Sequence, residues 1–292
     1  MANLRDVRLR IRAIQQTLQV TKAMSLISTS KLRKGRRTLE DMEPYFTRIK
    51  KSMFDVISSA GNVKSAFFER KEVKHTVVVV ISSDKGLAGG YNANVFKQVN
   101  KVCETLRDPL LITIGNTASR YFSHSHFNVL ENFSFMSQLP SLDDAKEIAN
   151  YIISQFLWEY FDEVHLVYTH MFSAVKLTPE TIQLLPVSAE KIQEEIVRAG
   201  GEKRVDLRFE YIPSEEEVFD ALVPIYIKGI VYGALVEAYA SEQSARMTAM
   251  DESSKSAEDM LAKLQVFYNR TRQAVITQEM TEIVGGSSAI NV

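Results

Sequence analysis

The sequence has few of the residues that build metal centres or disulfide-linked folds. Its 292 residues include one cysteine, Cys103, so neither an internal disulfide nor a two-cysteine zinc or redox motif can form. The five histidines lack neighbouring cysteines or carboxylate clusters, and only His124 and His126 stand close together. We therefore expect no metal site and no cofactor, and a reducing compartment is the default for such a chain.

The signatures of common enzymes and of membrane insertion are also missing. The chain contains no HExxH, no GxSxG and no Gly-Lys dipeptide, which a Walker A loop requires. The first residues lack the apolar core of a secretion signal. The most apolar stretch, residues 222–240, contains Lys228 and Glu237, and one central charge costs about 3 kcal/mol on insertion scales. We expect no catalytic residue and no membrane span.

Charge is distributed unevenly although the net charge is only −1. Residues 1–75 carry 17 basic and 7 acidic residues, whereas residues 210–292 carry 6 and 13. The sharpest basic cluster is 31–37, which makes a nucleic-acid-binding coiled coil one hypothesis. Aromatic residues are not interleaved with these charges, so an acidic protein partner is the interpretation that we favour.

Apolar residues of the N-terminal segment recur in alternating steps of three and four, which predicts one long helix over residues 4–60. In the middle of the segment this register falls on Thr21, Ser25 and Ser28, and apolar residues stand beside it. That change predicts a local shift of the buried face. Pro44 predicts a kink or a helix boundary. The displaced apolar residues are Val20, Met24 and Ile27.

The C-terminal segment is also predicted to be helical. Ser214 and Glu217 form a capping-box pattern, Pro224 is expected to interrupt the helix early, and residues 225–284 contain no proline. A helix over 4–60 or over 225–284 would be about 85–90 Å long, which exceeds the diameter of about 50 Å expected for a compact chain of this size. We therefore predict that the two helices pair as an antiparallel coiled coil.

Between the helices, strand-like and helix-like segments alternate. Residues 76–82 form a short apolar run followed by a glycine-rich turn at 83–92, which predicts a buried strand that leads into a helix. The fold class predicted is α/β: an antiparallel coiled coil of long N- and C-terminal helices plus an inserted Rossmann-like α/β domain. The domains are predicted at 1–74, 75–212 and 213–292. Further strands are predicted at 110–114, 127–135 and 164–171, with weaker candidates at 182–187 and 205–211.

Four segments resemble one protein family, the gamma subunits of F-type rotary ATP synthases. Residues 20–33 resemble the N-terminal helix of that family, and residues 240–250 and 264–284 resemble its C-terminal helix. The loop at 83–92 resembles its glycine-rich turn. The resemblance follows the whole chain in the family's order. It implies a non-catalytic rotor shaft of a bacterial enzyme, which couples ion flow through the membrane c-ring to ATP synthesis or hydrolysis on the beta subunits.

The resemblance also implies partners and contact residues. The partners would be the alpha and beta subunits of an alpha3-beta3 ring, the epsilon subunit and the c-ring, with no nucleic acid. Membrane contact would occur only through the c-ring, at the cytoplasmic face of the bacterial plasma membrane. Met24 would stand with Arg246 and Gln273 at one beta contact. The implied rotor–stator contacts are Lys22, Met24, Lys31, Arg246, Arg272, Gln273, Thr277, Glu279 and Glu282. The implied bearing tip comprises Met280, Ile283 and Val284, and the implied foot contacts are Phe209, Glu210 and Tyr211.

A second hypothesis from the residues is a nucleotide-binding α/β enzyme. A glycine-rich turn between a strand and a helix can cradle a phosphate at the helix N-terminus. The turn here carries Gly86, Gly89 and Gly90 but does not match GxGxxG, so a tight strand-to-helix turn explains it equally well.

Overall fold

The computed structural model describes residues 4–60, 65–68, 73–134, 139–188 and 211–290. The chain divides into two compact units, one formed by Thr29–Ala245 and the other by Met1–Ser28 with Arg246–Val292. The domain boundaries predicted at 74/75 and 212/213 stay a prediction. The described helices are α1 (Leu4–Ala60), α2 (Tyr91–Cys103), α3 (Asn116–Phe122), α4 (Leu142–Leu157) and α5 (Glu215–Ile290). The described strands are β1 (Thr76–Ile81), β2 (Leu110–Ile114), β3 (Asn128–Phe133), β4 (Glu163–Met171) and β5 (Leu177–Leu185).

The five strands form one mixed sheet in the order β3-β2-β1-β4-β5. Strands β1 to β4 are parallel, and β5 runs antiparallel to β4. Strand β1 lies at the centre, and all six of its residues are buried because helices cover both faces of the sheet. Side chains alternate between those faces, so Val78 and Val80 belong to one core and Val77 and Val79 to the other.

Helices α2 and α3 cover one face, where Val95, Val99 and Phe122 pack on the valines of β1. Helix α4 and the adjoining parts of α1 and α5 cover the opposite face. There the core takes in Met53 of α1, Ile148 of α4 and Ile227 of α5, each fully buried. The long helices are therefore fixed to the sheet by apolar burial, which is worth about 25 cal/mol per Å² of surface removed from water.

Both long helices continue through a proline, so Pro44 is not a helix boundary and the interruption expected at Pro224 does not occur. Helix α1 passes Pro44 without ending, and α5 begins at Glu215 and continues through Pro224. The Ser214 cap is confirmed, since its hydroxyl accepts the N–H of Glu217 at 3.2 Å. An internal proline costs roughly 3 kcal/mol. Around Pro224 the full burial of Val223 and Ile227 offsets that cost.

Strand β5 differs from its prediction. It spans Leu177–Leu185, whereas the apolar pattern suggested residues 182–187. Most of its residues are only partly buried, so the first half of the strand carries no apolar run that a sequence pattern could detect. The other weak candidate, 205–211, lies outside the described residues except for Tyr211, which is not in a strand.

Within Thr29–Ala245, α1 and α5 approach each other closely at two glycines. A Cβ on Gly35 would lie 3.2 Å from the Cβ of Ala240, and a Cβ on Gly229 would overlap the ring of Phe46. Residue numbers rise along one helix as they fall along the other, so the pairing is antiparallel as predicted.

Candidate functional site

The unit formed by Met1–Ser28 and Arg246–Val292 contains a polar seam between α1 and α5. The hydroxyls of Thr21 and Ser254 lie 2.7 Å apart, and Ser25 donates to the carboxylate of Asp251 at 2.6 Å. Thr21, Ser25 and Ser28 are each less than 9% exposed. The three-four register therefore continues through these residues, and the predicted shift of the buried face is wrong. Hydroxyl groups can occupy the seam because partners across it satisfy them.

The polar seam leaves an apolar face on the outside of α1, since the apolar residues beside it point away from α5. Val20 is 57% exposed, Leu26 is 72% exposed and Ile27 is 56% exposed. This arrangement reverses the usual one, in which apolar side chains fill the seam and polar side chains face water. Contiguous exposed apolar surface is typical of contact sites for other proteins, which makes this face a candidate contact surface.

Charged residues flank the seam and fix its register. Lys22 forms an ion pair with Glu258 at 2.6 Å, with both side chains about half exposed. Arg8 donates to the hydroxyl of Tyr268 at 2.7 Å. An exposed ion pair of this kind contributes at most about 1 kcal/mol, so these contacts align the helices more than they stabilise them.

The pairing of α1 with α5 separates Gln273 from Met24, although the resemblance places both residues at one contact. Met24 is half-buried and Arg246 is 8% exposed. The paired contacts place Met24 at the level of residue 252 and Gln273 at the level of the first residues of α1. Since an α-helix rises 1.5 Å per residue, Gln273 lies roughly 30 Å along the helix from the level of Met24. Gln273 therefore does not share a contact with Met24. Lys31 belongs to the other unit and is half-buried.

The end of α5 is exposed on all described sides. The predicted polar contact residues are exposed, and the Thr277 hydroxyl turns back to the Gln273 carbonyl at 2.9 Å. The three predicted tip residues are also exposed: Met280 by 65%, Ile283 by 71% and Val284 by 66%. The exposed polar residues are Arg272, Gln273, Thr277, Glu279 and Glu282.

Of the predicted foot residues, Phe209 and Glu210 lie outside the described residues. Tyr211 is half-buried and packs against the core on the α4 face of the sheet. Part of its ring is therefore buried in the core and cannot contact another subunit.

Helix α5 fills the crevice in which open α/β sheets commonly bind ligands, at the carboxyl ends of the strands. The remaining cavity is about 50 Å³ and is lined by Ser82, Asp84 and Gly115 together with Leu235 and Tyr239 of α5. Ligand pockets are typically 300–1,000 Å³, so a nucleotide does not fit there. The glycine-rich turn instead closes on itself, since Asn92 accepts the N–H of Ser83 at 3.1 Å. The geometry thus favours the tight-turn interpretation.

Cys103 is 4% exposed, and burial raises the pKa of its thiol to about 11, well above the ordinary value. The thiolate is the reactive form, so we expect native Cys103 to react with a disulfide reagent at pH 8 about a hundredfold more slowly than in urea. Because the unfolded thiol loses its proton first, folding stability should also fall as pH rises toward 11. Thiol titration in buffer and in urea measures the difference, and equal rates would contradict the burial.

Among the residues that the structure describes, no group of three His, Cys, Asp or Glu side chains converges as a metal ligand set would. Within the same part of the chain, one helix, α5 over Glu215–Val284, is long and apolar enough to cross a membrane. Its apolar part includes Phe219, Val223 and Val231, all fully buried against the sheet, as in the core helix of a globular fold.

Comparisons with known proteins agree along the whole chain. A family model described as ATP synthase matches residues 3–290. The ATP synthase gamma chain of Ruminiclostridium cellulolyticum is 44% identical over 292 residues, covering 99% of both chains. The sodium-ion-specific gamma chain of Acetobacterium woodii is 35% identical and also covers 99% of each.

Two solved structures share the fold. One is a chain of the Euglena gracilis mitochondrial ATP synthase, in a structure of OSCP, F1 and the c-ring, with a TM-score of 0.69 at 18% identity; the match covers 98% of this chain and 94% of that one. The other comes from the central stalk and c-ring of the Tetrahymena thermophila mitochondrial ATP synthase, with a TM-score of 0.62 at 24% identity; the match covers 80% and 98%.

Proposed function

Since this chain belongs to the family of ATP synthase gamma chains, the non-catalytic rotor subunits of the central stalk, we propose that its apolar helix face is the sliding surface of the rotor. Val20, Leu26 and Ile27 would face the alpha and beta subunits of an alpha3-beta3 ring. The nucleic-acid and nucleotide-enzyme hypotheses are set aside on the ground of family membership.

One observation carries this proposal: over residues 20–28 of α1, the hydroxyl side chains lie inside the helix pair and Val20, Leu26 and Ile27 lie outside it. Apolar contact is non-directional and is not tied to one geometry, unlike a hydrogen bond. A surface made of such contacts can slide past three equivalent partners in turn without locking. It changes the open–closed equilibrium of each partner only by its differential contact energy in the two states.

The predicted polar residues have a second role in the same proposal. Lys22 and Lys31 would face beta-subunit carboxylates, and Arg246, which is 8% exposed, would support that contact from within the helix pair. The exposed polar residues near the end of α5 would make contacts at the upper bearing. The apolar tip at Met280, Ile283 and Val284 would turn inside that bearing. Their exposure in the isolated chain supports this assignment for the tip.

Residues 209–211 would contact the epsilon subunit or the c-ring. The subunit would then stand at the cytoplasmic face of a bacterial plasma membrane and reach the membrane only through the c-ring. The bacterial origin of the curated relatives supports this location.

The test is co-assembly followed by rotation. The chain is co-expressed with alpha, beta, epsilon and c subunits, once complete and once without residues 273–292. We expect the complete chain to co-purify with all four and to rotate a bead on ATP addition, and the shortened chain to transmit less torque. An alpha-beta complex that couples equally well without this chain would refute the assignment, and unchanged torque after shortening would refute the bearing.

A further inference from the structure

Three polar side chains of α5 bind backbone groups at the carboxyl end of β4 and in the turn that follows it. Glu237 accepts the N–H of Met171 at 3.0 Å, Ser241 donates to the Thr169 carbonyl at 3.1 Å, and Ser244 donates to the Ala174 carbonyl at 2.6 Å. Their spacing of four and three residues places them on one face of the helix. We call Glu237, Ser241 and Ser244 the clamp.

The clamp lies in a buried part of the unit Thr29–Ala245. Ser241 and Ser244 are fully buried, and the Glu237 side chain is 17% exposed. Apolar residues of the same helix, such as Val236, are also fully buried there. Apolar packing at this place would therefore suffice to hold the helix against the sheet, and the hydrogen bonds add something that packing does not supply.

The three hydrogen bonds of the clamp add a dependence on direction. A helix packed on a sheet by apolar contact resists separation, but apolar attraction is non-directional and specifies axial position and rotation less sharply than a hydrogen bond does. A hydrogen bond weakens steeply when its distance or angle changes, so bonds to successive backbone groups oppose both motions. The clamp therefore fixes the position of α5 along the sheet and about its own axis.

The groups around Glu237 restrict its side chain further. Nδ1 of His170 lies 2.6 Å from Oε1 of Glu237. Burial raises the pKa of the Glu237 carboxyl, the Met171 N–H and His170 lower it, and Glu180 on β5 raises it. The carboxylate is thus held between a backbone donor and an imidazole, which restricts its rotamer.

We propose that Glu237, Ser241 and Ser244 are positioning residues that prevent helix α5 from slipping on the sheet when the rotor carries torque. The proposal rests on the rotor function of the family. It predicts that the clamp matters under load and is dispensable without load, which a residue needed only for folding would not show.

The experiment uses the complete enzyme, reconstituted in vesicles, with ATP hydrolysis and ATP-driven ion pumping measured together. For Ser241→Ala/Ser244→Ala we expect hydrolysis to equal that of the wild type when an ionophore removes the gradient. Without the ionophore, the steady gradient should fall about twofold, because the helix slips when the opposing torque is high. A gradient and a hydrolysis rate that fall in proportion, or a gradient that does not fall, would each overturn the clamp.

Two variants of Glu237 distinguish the effect of its hydrogen bond to Met171 from the effect of its negative charge. Glu237→Gln keeps an oxygen that accepts the Met171 N–H and should behave as the wild type, whereas Glu237→Ala should resemble the double variant. A Gln variant as defective as the Ala variant would refute the role of that bond. The matched control is Ser123→Ala/Ser154→Ala, which removes two serine hydroxyls bonded within or next to their own helices, to Arg120 and Tyr151.

The rotor function can fail separately from the clamp. If the wild-type enzyme hydrolyses ATP but builds no gradient, the rotor function fails and with it the basis of the proposal. If the wild type builds a gradient and the double variant matches it, only the clamp fails.

Discussion

Replacing Gly115 with alanine is expected to lower the free energy of unfolding by about 2–5 kcal/mol. Gly115 has φ = 97°, which an alanine adopts only with strain. An added Cβ would also overlap the carbonyl oxygen of Ser82, which is backbone and cannot rotate away. The neighbouring N–H of Ser82 donates to the Ile114 carbonyl at 2.8 Å, so the overlap would separate β1 from β2 at their carboxyl ends.

Urea unfolding of the full chain measures this loss, and Gly86→Ala is the matched control. A Cβ on Gly86 would meet nothing within 4 Å, and no left-handed φ is found there. We expect the Gly86 variant to stay within about 1 kcal/mol of the wild type. Similar midpoints for the two variants would contradict the close approach at Gly115.

The second large effect is expected in function rather than stability. Leu26→Asp/Ile27→Asp should reduce ATP-driven ion pumping about tenfold or more, because two charges would have to leave water where the rotor meets its ring. The helix pair itself should survive, since these side chains are 72% and 56% exposed and lie outside the polar seam. Pumping in reconstituted vesicles and circular dichroism of the isolated chain measure the two quantities.

Gln15→Asp/Gln16→Asp is the control for that variant. It adds the same two charges to the same helix at residues that are already polar and exposed. We expect a loss of about twofold at most, since no apolar contact is removed. Equal losses in the two variants would show that added charge alone matters, and the sliding surface would have to be placed elsewhere.

The sequence predicted those elements whose signal is a period or a run of one residue type. The three-four series defined α1, and the run at 76–82 defined β1, because burial on one side or on both sides requires such patterns. The range predicted for α1 was confirmed in spite of Pro44, but the interruption expected at Pro224 was wrong, since the cost of a proline is local and the packing that offsets it is not. The weak signal of β5 arises because most of its residues are only partly buried, and pairing with β4, which a local sequence pattern does not show, places it in the sheet.

The sequence predicted the functional surfaces less completely than it predicted the fold. Exposure of the apolar tip at Met280, Ile283 and Val284 agrees with the resemblance, although its contacts stay a prediction. The apolar face at Val20 and Ile27 was misassigned to the seam, because hydrophobicity alone cannot say which side of a helix meets its partner. Its correct place follows only from the contacts of Thr21 with Ser254 and of Ser25 with Asp251. The clamp had no sequence signal, since serine and glutamate in a helix are usually exposed.

The polar seam also has a thermal consequence. Parting hydroxyls and a carboxylate exposes little hydrocarbon, so the heat capacity of that separation should be small. Apolar burial weakens on cooling, whereas a junction of this kind does not depend on it. On cooling, the free energy of the contact between Thr21 and Ser254 should stay nearly constant, whereas the free energy gained by apolar burial around the valines of β1 should become smaller.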